Sequence, residues 1–228
     1  MISNETEIVQ EKAKQIEDNF SYKNYEVARN ELFANLRLPS VTIRKDSITF
    51  SQSCINKLDD VVYIKILVNR TDKQIAILKC NENDKHAQRW CVLKAGKRKS
   101  RKITGKEFSS RVYDLMGWDR SCRYKMLGYK IYYEGEELIV FILNEYSAYK
   151  EHKRKTKAQV LAESESTGFT EEQIRKREAE ERKMARKPFY PDDWLNTFGV
   201  PVEEHHNVEI PSINLYNSFD ENHNNKKV

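Results

Sequence analysis

Glycine is scarce in this chain, with seven among 228 residues. None of them forms a G-x-G-x-x-G, G-x-x-x-x-G-K-[S/T] or G-x-S-x-G pattern. The sequence therefore offers neither a phosphate-cradling loop nor the sharp turn that exposes a nucleophilic serine. Acidic residues are abundant, but no motif sets two of them apart as an acid–base pair. We expect a protein that is not an enzyme, has no catalytic residues and needs no cofactor.

Cysteine is sparse as well, and the four cysteines form no C-x-x-C pair. The spacing Cys80-x5-His86-x4-Cys91 does not match a zinc site. The adjacent histidines His205 and His206 follow two glutamates near the end of the chain, without further ligand types at metal spacing. We expect no metal site, and reduced, buried or half-buried thiols rather than a disulfide framework.

Long hydrophobic runs are missing too. No apolar stretch approaches the roughly 18 residues of a membrane-spanning helix, and the first residues do not resemble a signal peptide. Hydrophobic residues make up 39% of the chain and charged residues 33%, with a mean hydropathy of −0.81. These values predict a soluble, cytoplasmic protein that has a modest core and does not enter a membrane.

A strand–helix–hairpin pattern occurs twice in the chain. Residues 48–80 and residues 103–143 each contain a short β-like run, a helix-like run and two alternating apolar runs joined by a polar turn. One such unit cannot cover its apolar face alone, so two copies would share a core. The alternative is two unrelated α+β stretches. Either way the pattern predicts an α+β fold with a core over residues 41–150.

The flanking regions differ from this core. Residues 1–40 are predicted to be a helical segment with a break between Asn19 and Asn24, and the second apolar stripe continues to Leu36. Residues 151–202 contain a highly charged helix that opens at Thr170 with a capping box. Residues 203–228 are predicted to be a mostly disordered tail.

An aromatic cluster follows the charged helix. Pro191 and two aspartates suit the start of a further helix, and Gly199 suits its end. The cluster caps the core or presents aromatic anchors to a partner. The candidate partner-binding residues are Phe189, Tyr190, Trp194, Leu195 and Phe198.

Positive charge is concentrated in one part of the chain. Residues 94–157 contain 17 Lys and Arg against eight Asp and Glu, whereas the whole chain has a net charge of only +5. We expect the densest run to lie in a connection, where it contacts a phosphate backbone or an acidic protein, or is merely solvated. The candidate nucleic-acid-binding residues are Lys97, Arg98, Lys99, Arg101, Lys102, Lys153, Arg154 and Lys155.

Residues 48–80 resemble the swapped-hairpin domain of AbrB/MazE-type transcription factors. The resemblance is carried by Ile48-Thr49-Phe50-Ser51, by Cys54 to Leu58, and by the two runs Ile64-Lys65-Ile66 and Ile75-Ala76-Ile77. It implies a small DNA-binding barrel. The chain departs from the family at Ser51, where the family has proline, and at Val61-Val62, where it has Gly-Asp.

The whole chain is similar to open reading frames of phages and integrative elements of Firmicutes that are loosely labelled integrase. The similar pieces are Arg89-Trp90-Cys91, Arg101 to Thr104, Tyr113 to Trp118, and Pro191 to Trp194 with Phe198-Gly199. The chain is too short for a large serine recombinase and lacks the tyrosine-recombinase pattern.

We therefore expect an accessory function, including that of a recombination directionality factor that binds DNA or a site-specific recombinase. The alternatives are an anti-defence inhibitor that binds a host immune protein, and an AbrB-like transcription regulator. The sequence does not indicate an oligomeric state.

Overall fold

A computed structural model describes residues 2–33, 37–152 and 154–205 of the chain. The chain divides into two compact units. Of the described residues, 2–32 and 196–205 belong to the smaller unit, and those from Phe33 to Leu195 belong to the larger one. The larger unit mixes helices with an extensive antiparallel sheet, which confirms an α+β fold.

The larger unit contains ten strands and four helices among the described residues. The strands are β2 (Ser40–Arg44), β3 (Ser47–Phe50), β4 (Tyr63–Asn69), β5 (Gln74–Cys80), β6 (Gln88–Arg89), β7 (Cys91–Lys94), β8 (Lys97–Ser100), β9 (Lys102–Thr104), β10 (Cys122–Tyr133) and β11 (Glu136–Lys150). The helices are α2 (Gln52–Lys57), α3 (Lys106–Met116), α4 (Lys157–Thr167) and α5 (Glu171–Met184). The smaller unit contributes α1 (Ile2–Asn19), β1 (Glu26–Ala28), β12 (Gly199–Pro201) and α6 (Val202–His205).

Eight strands form one sheet in the order β6-β4-β5-β11-β10-β2-β3-β9. The sheet curls into a nearly closed barrel. Its two ends approach each other where the Arg101 backbone N–H donates to the Trp90 carbonyl, next to β9 and β6. Because residues 48–80 and residues 103–143 both contribute strands to this one sheet, neither segment has a core of its own.

The inner faces of the strands supply the core. Period-2 alternation places every second side chain of a strand on the same face, and most of the inward positions are apolar. Phe50 lies between Trp90 and Phe141, with ring centroids 5.6 and 5.9 Å away, and none of the three rings is accessible to solvent. Cys54, Cys91 and Cys122 are buried and unpaired, and Cys80 is half-buried, so the prediction of reduced thiols is confirmed.

Both predicted strand–helix–hairpin segments are present: β3-α2-β4-β5 and β9-α3-β10-β11. The Ser51 hydroxyl accepts the Cys54 N–H and so begins α2. Gly117, with a φ of 64°, adopts the left-handed conformation and ends α3. The two hairpins turn at residues 70–73 and 134–135, and β11 continues to Lys150, beyond the predicted end of the second segment at residue 143.

The α4–α5 pair is a helical hairpin whose second helix was predicted. At the start of α5 the Thr170 side chain accepts the Gln173 N–H, and the Gln173 side chain accepts the Thr170 N–H, which confirms the capping box. Helix α4 was not predicted from the sequence, although it starts with the same kind of box at Thr156. Val160 and Ile174 are the fully buried apolar residues of these two helices.

In the smaller unit, α1 ends at Asn19 as predicted, but the second predicted helical stripe is wrong. Residues 26–28 form β1, which pairs antiparallel with β12, and Leu36 lies outside the described residues. A Cβ atom on Gly199 would overlap the Val27 carbonyl, so glycine is required where β12 meets β1. This pairing joins residues more than 170 positions apart, and local periodicity carries no sign of it.

The predicted helix from Pro191 to Gly199 is also wrong. A short 3-10 turn is present at Asp192–Trp194 in the larger unit, and Gly199 starts β12 in the smaller unit. The Glu26 carboxylate accepts the N–H groups of Phe198 and Gly199, which holds this backbone extended. The predicted tail begins inside α6, and residues 206–228 lie outside the described part of the chain.

Candidate nucleic-acid interface

The first part of the densest basic run, Lys97 to Ser100, is a strand of a β-ribbon, and the prediction of a connection is wrong. β7 and β8 form a separate two-stranded antiparallel sheet joined by a two-residue turn at Ala95 and Gly96. Both turn residues have positive φ, 50° and 69°, which is the conformation of a tight hairpin turn that matches the twist of the strands. The turn fixes the register, with Lys94 opposite Lys97.

The inner face of the ribbon packs on α2. Gln52 at the start of α2 donates its side-chain N–H to the Arg98 carbonyl at 3.0 Å and accepts the Ser100 N–H at 3.2 Å. The Gln52 side-chain amide thus forms the hydrogen bonds that a neighbouring strand would otherwise form with the backbone at the edge of β8. The Ser100 hydroxyl adds a hydrogen bond to the Phe50 carbonyl.

Arg98 belongs to this inner face and has a structural role. Its guanidinium donates to the Leu58 carbonyl at 2.5 Å and to the Val61 carbonyl at 3.2 Å, just beyond the C-terminus of α2. Carbonyls at a helix C-terminus lack partners within the helix and favour a cation. Trp90 and Cys91 also donate to the Val61 carbonyl, so three side chains fix the base of the ribbon to one backbone oxygen.

The outer face of the ribbon presents three lysines. Lys94, Lys97 and Lys99 alternate with the inward residues, share the face of Val92, and are exposed. None has a hydrogen-bond or ion-pair partner among the described residues. Lys97 and Lys99 are two residues apart on one strand, about 6.8 Å at the usual rise of an antiparallel strand. The result is a cationic surface held on a rigid support.

Two further cations follow the ribbon. Arg101 is exposed, whereas Lys102 lies 3.7 Å from the Asp46 carboxylate in an ion pair open to solvent. A hydrogen bond from Ser47 and the charge of Lys102 lower the pKa of Asp46, which keeps that carboxylate ionised opposite Lys102. Arg101 therefore extends the cationic surface more than Lys102 does.

The two described members of the second predicted basic group, Arg154 and Lys155, do not form a comparable surface. Lys153 lies outside the described residues, and Arg154 is exposed. Lys155 is half-buried, and its ammonium lies 2.6 Å from Glu163 of α4. This contact is the main cause of a lowered pKa of Glu163. Lys155 therefore ties the chain to the helical hairpin, and its charge is already compensated.

The aromatic segment partly folds back onto the barrel. Phe189 exchanges two backbone hydrogen bonds of 2.7 Å with Ala148 of β11, and its side chain is half exposed. Tyr190 stacks on Trp194, which is buried. Leu195 is 69% exposed, and in the smaller unit Phe198 is 73% exposed. The five predicted anchors therefore do not behave alike. Trp194 packs inward, as expected of a segment that caps the core, whereas Phe189 and Leu195 face solvent, as expected of residues that contact a partner.

Lys94 was not predicted to be part of the basic surface. The signal was present in Lys94-Ala95-Gly96-Lys97, because two strands joined by a two-residue turn place the flanking lysines opposite each other. Across the described ranges, no group of three or more His, Cys, Asp or Glu is placed to hold a metal ion. Within those ranges no helix is both long and apolar enough to cross a membrane.

No protein-family model, curated protein or solved structure matches this chain.

Proposed function

We propose that the protein is a non-enzymatic, DNA-associated accessory protein of a phage or other mobile element. The observation that carries the proposal is the outer face of the β7–β8 ribbon, where Lys94, Lys97 and Lys99 are exposed and have no hydrogen-bond or ion-pair partner in the described part of the chain. The major groove of B-DNA admits a two-stranded β-ribbon, and lysine contacts with phosphate supply sequence-independent affinity. The strands of the ribbon hold the lysines at a fixed spacing before binding. In a flexible loop, the backbone that carries the lysines would lose conformational entropy on binding.

The barrel supports an origin by duplication. The first strands of the two segments, β3 and β9, pair antiparallel with each other, and so do the last strands of the two hairpins, β5 and β11. Two copies related by an approximate two-fold axis would give such like-with-like antiparallel pairing. The strand–helix–hairpin order is also the feature by which the chain resembles AbrB/MazE-type domains. We propose that the barrel combines two such units in one chain.

The proposed action is that of a recombination directionality factor. Such a protein must prefer one arrangement of recombinase and DNA over another, because equal affinity for both would shift nothing. It therefore needs a protein contact besides a DNA contact. The exposed side chains of Phe189 and Leu195, held near the end of β11 and beyond the buried Trp194, suit a contact with a site-specific recombinase.

The DNA contact is tested with matched lysine variants. The first variant carries Lys→Gln changes at Lys94, Lys97 and Lys99. The control carries them at Lys157, Lys176 and Lys183, which are exposed on α4 and α5 and change the net charge equally. Binding to a labelled duplex of about 20 base pairs, roughly two helical turns, is measured by fluorescence anisotropy over a range of salt concentrations.

We expect the ribbon variant to lose about 2.7 from the slope of log affinity against log salt, at about 0.9 per phosphate contact. The control should keep the wild-type slope. Equal losses in both variants would show that net charge alone attracts DNA. No duplex binding by the wild type at low salt, with or without a recombinase, would reject the proposed DNA contact.

The same proteins distinguish the alternatives. DNA association that needs an added large serine recombinase supports a directionality factor. Sequence-selective binding by the isolated protein supports a transcription regulator. Tight capture of a host immune protein without DNA supports an anti-defence inhibitor.

A further inference from the structure

The barrel is open at one end, between the β4–β5 turn and α3. Along β4, Ile64, Ile66 and Val68 share the core face, yet Ile64 is fully buried and Val68 is 41% exposed. The core surface therefore continues out into a groove of about 610 Å3. Val68 lines the groove on the strand side, and Phe108, Val112 and Leu115 of α3 line it on the helix side.

The walls of this groove are fixed to each other. The Lys73 ammonium, on the β4–β5 turn, donates to the Leu115 carbonyl near the C-terminus of α3 at 2.9 Å. Phe108 and Leu115 pack against the core beneath. Strand turn and helix are thus joined across the groove, and the apolar floor is preformed.

The rim carries uncompensated positive charge. Arg70 on the β4–β5 turn and Arg111 on α3 line the groove, and neither has a hydrogen-bond or ion-pair partner within the described part of the chain. Asp114 also lies at the rim, but its carboxylate is already paired with Arg120 at 2.6 Å. The lining thus combines an apolar floor with two arginines that are free to bind an anion.

We infer that this groove binds an acidic peptide segment of a partner protein. An apolar side chain of the peptide covers Val68, Phe108 and Leu115, and neighbouring carboxylates meet Arg70 and Arg111. Guanidinium groups bind carboxylates through paired, charge-assisted hydrogen bonds. A nucleic-acid backbone satisfies the arginines but has no apolar side chain for the floor, so the mixed lining favours a peptide. This inference does not depend on DNA binding by the ribbon.

The test begins from a phage-displayed library of random peptides of about 12 residues, roughly three helical turns. The library is selected on the full-length protein. Enriched peptides are synthesised, and their affinities are measured against the wild type, Arg70→Ala, Arg111→Ala and Arg182→Ala. Arg182 is exposed on α5, outside the groove, and serves as the matched control.

We expect enriched peptides that combine Asp or Glu with a large apolar residue. Each groove variant should weaken their binding about tenfold, the usual effect of losing a hydrogen bond between charged groups, while Arg182→Ala leaves it unchanged. Replacing the peptide carboxylates with amides should weaken binding to the wild type and have little further effect on the groove variants.

Three outcomes overturn the inference: no enriched peptide, enriched peptides without carboxylates, or acidic peptides that bind all four proteins equally. A reduced salt slope for duplex DNA in Arg70→Ala and Arg111→Ala, without peptide binding, assigns the groove to nucleic acid instead. The peptide result stands whether or not the ribbon lysines bind DNA, so failure of either proposal is recognised separately.

Discussion

Arg98 separates the structural part of the basic run from the part that is free to bind. It lies between Lys97 and Lys99 in sequence, but its guanidinium points to the opposite face of the ribbon and donates to the carbonyls of Leu58 and Val61. Changing Arg98 to Ala should therefore lower stability, whereas changing Lys99 to Gln should not. Net charge falls by one in both variants.

The size of the effect follows from the carbonyls that lose a donor. A hydrogen bond to a charged group contributes about 1.5–3 kcal/mol, and a carbonyl left unpaired in a half-buried site costs about 1–3 kcal/mol. The Val61 carbonyl keeps its bonds from Trp90 and Cys91, so the main loss is at the Leu58 carbonyl. We expect Arg98→Ala to reduce the free energy of unfolding by about 2–3 kcal/mol, and Lys99→Gln to change it by less than about 0.5 kcal/mol.

Urea unfolding followed by circular dichroism measures both changes, and duplex binding is then compared under conditions where each variant is folded. Arg98→Ala should keep the wild-type salt slope, and Lys99→Gln should lose about 0.9 from it. The structural role of Arg98 is refuted if Arg98→Ala is as stable as Lys99→Gln. It is equally refuted if folded Arg98→Ala loses a phosphate contact that Lys99→Gln retains.

Three further predictions concern the barrel and its C-terminal attachments. Residues 41–93 and 94–148 expressed separately should each lack a sharp melting transition, because they share one sheet; two sharp transitions would contradict the shared core. Trp194→Ala should cost about 3–5 kcal/mol in urea unfolding as a buried aromatic, whereas Leu195→Ala should change stability by less than about 0.5 kcal/mol but weaken recombinase capture. A hydrogen bond from the Lys155 backbone N–H is the main cause of the lowered pKa of Glu178. The ionised Glu178 carboxylate therefore stabilises the folded protein fully above the ordinary pKa of 4.5, and this stabilisation is lost as the pH falls through the lowered pKa of the folded state. Melting temperatures between about pH 5 and pH 3 should consequently fall less in Glu178→Gln than in the wild type, and parallel curves would exclude this contribution.

Sequence patterns determined the local elements of the core. The alternation in β4, the capping box at Thr170 and the glycine after α3 each depend on residues within a few positions of one another. Such short-range preferences indicate a strand, a helix start or a helix end before any tertiary contact forms. The cation density of the basic run, and so the approximate location of the candidate interface, was likewise visible from composition.

Tertiary structure decided what those elements and charges do. Lys99 and Arg98 are adjacent in sequence and are both basic. Only the packing of the ribbon on α2 leaves Lys99 on the outer face and makes the Arg98 guanidinium a hydrogen-bond donor to backbone carbonyls. Lys155 is paired because Glu163 of the next helix reaches it. Residues 26–28 form a strand rather than a helix because β12, more than 170 residues away, supplies its partner. Local periodicity cannot encode such long-range pairing, because backbone hydrogen bonds and charge compensation depend on groups that come together only in the folded chain.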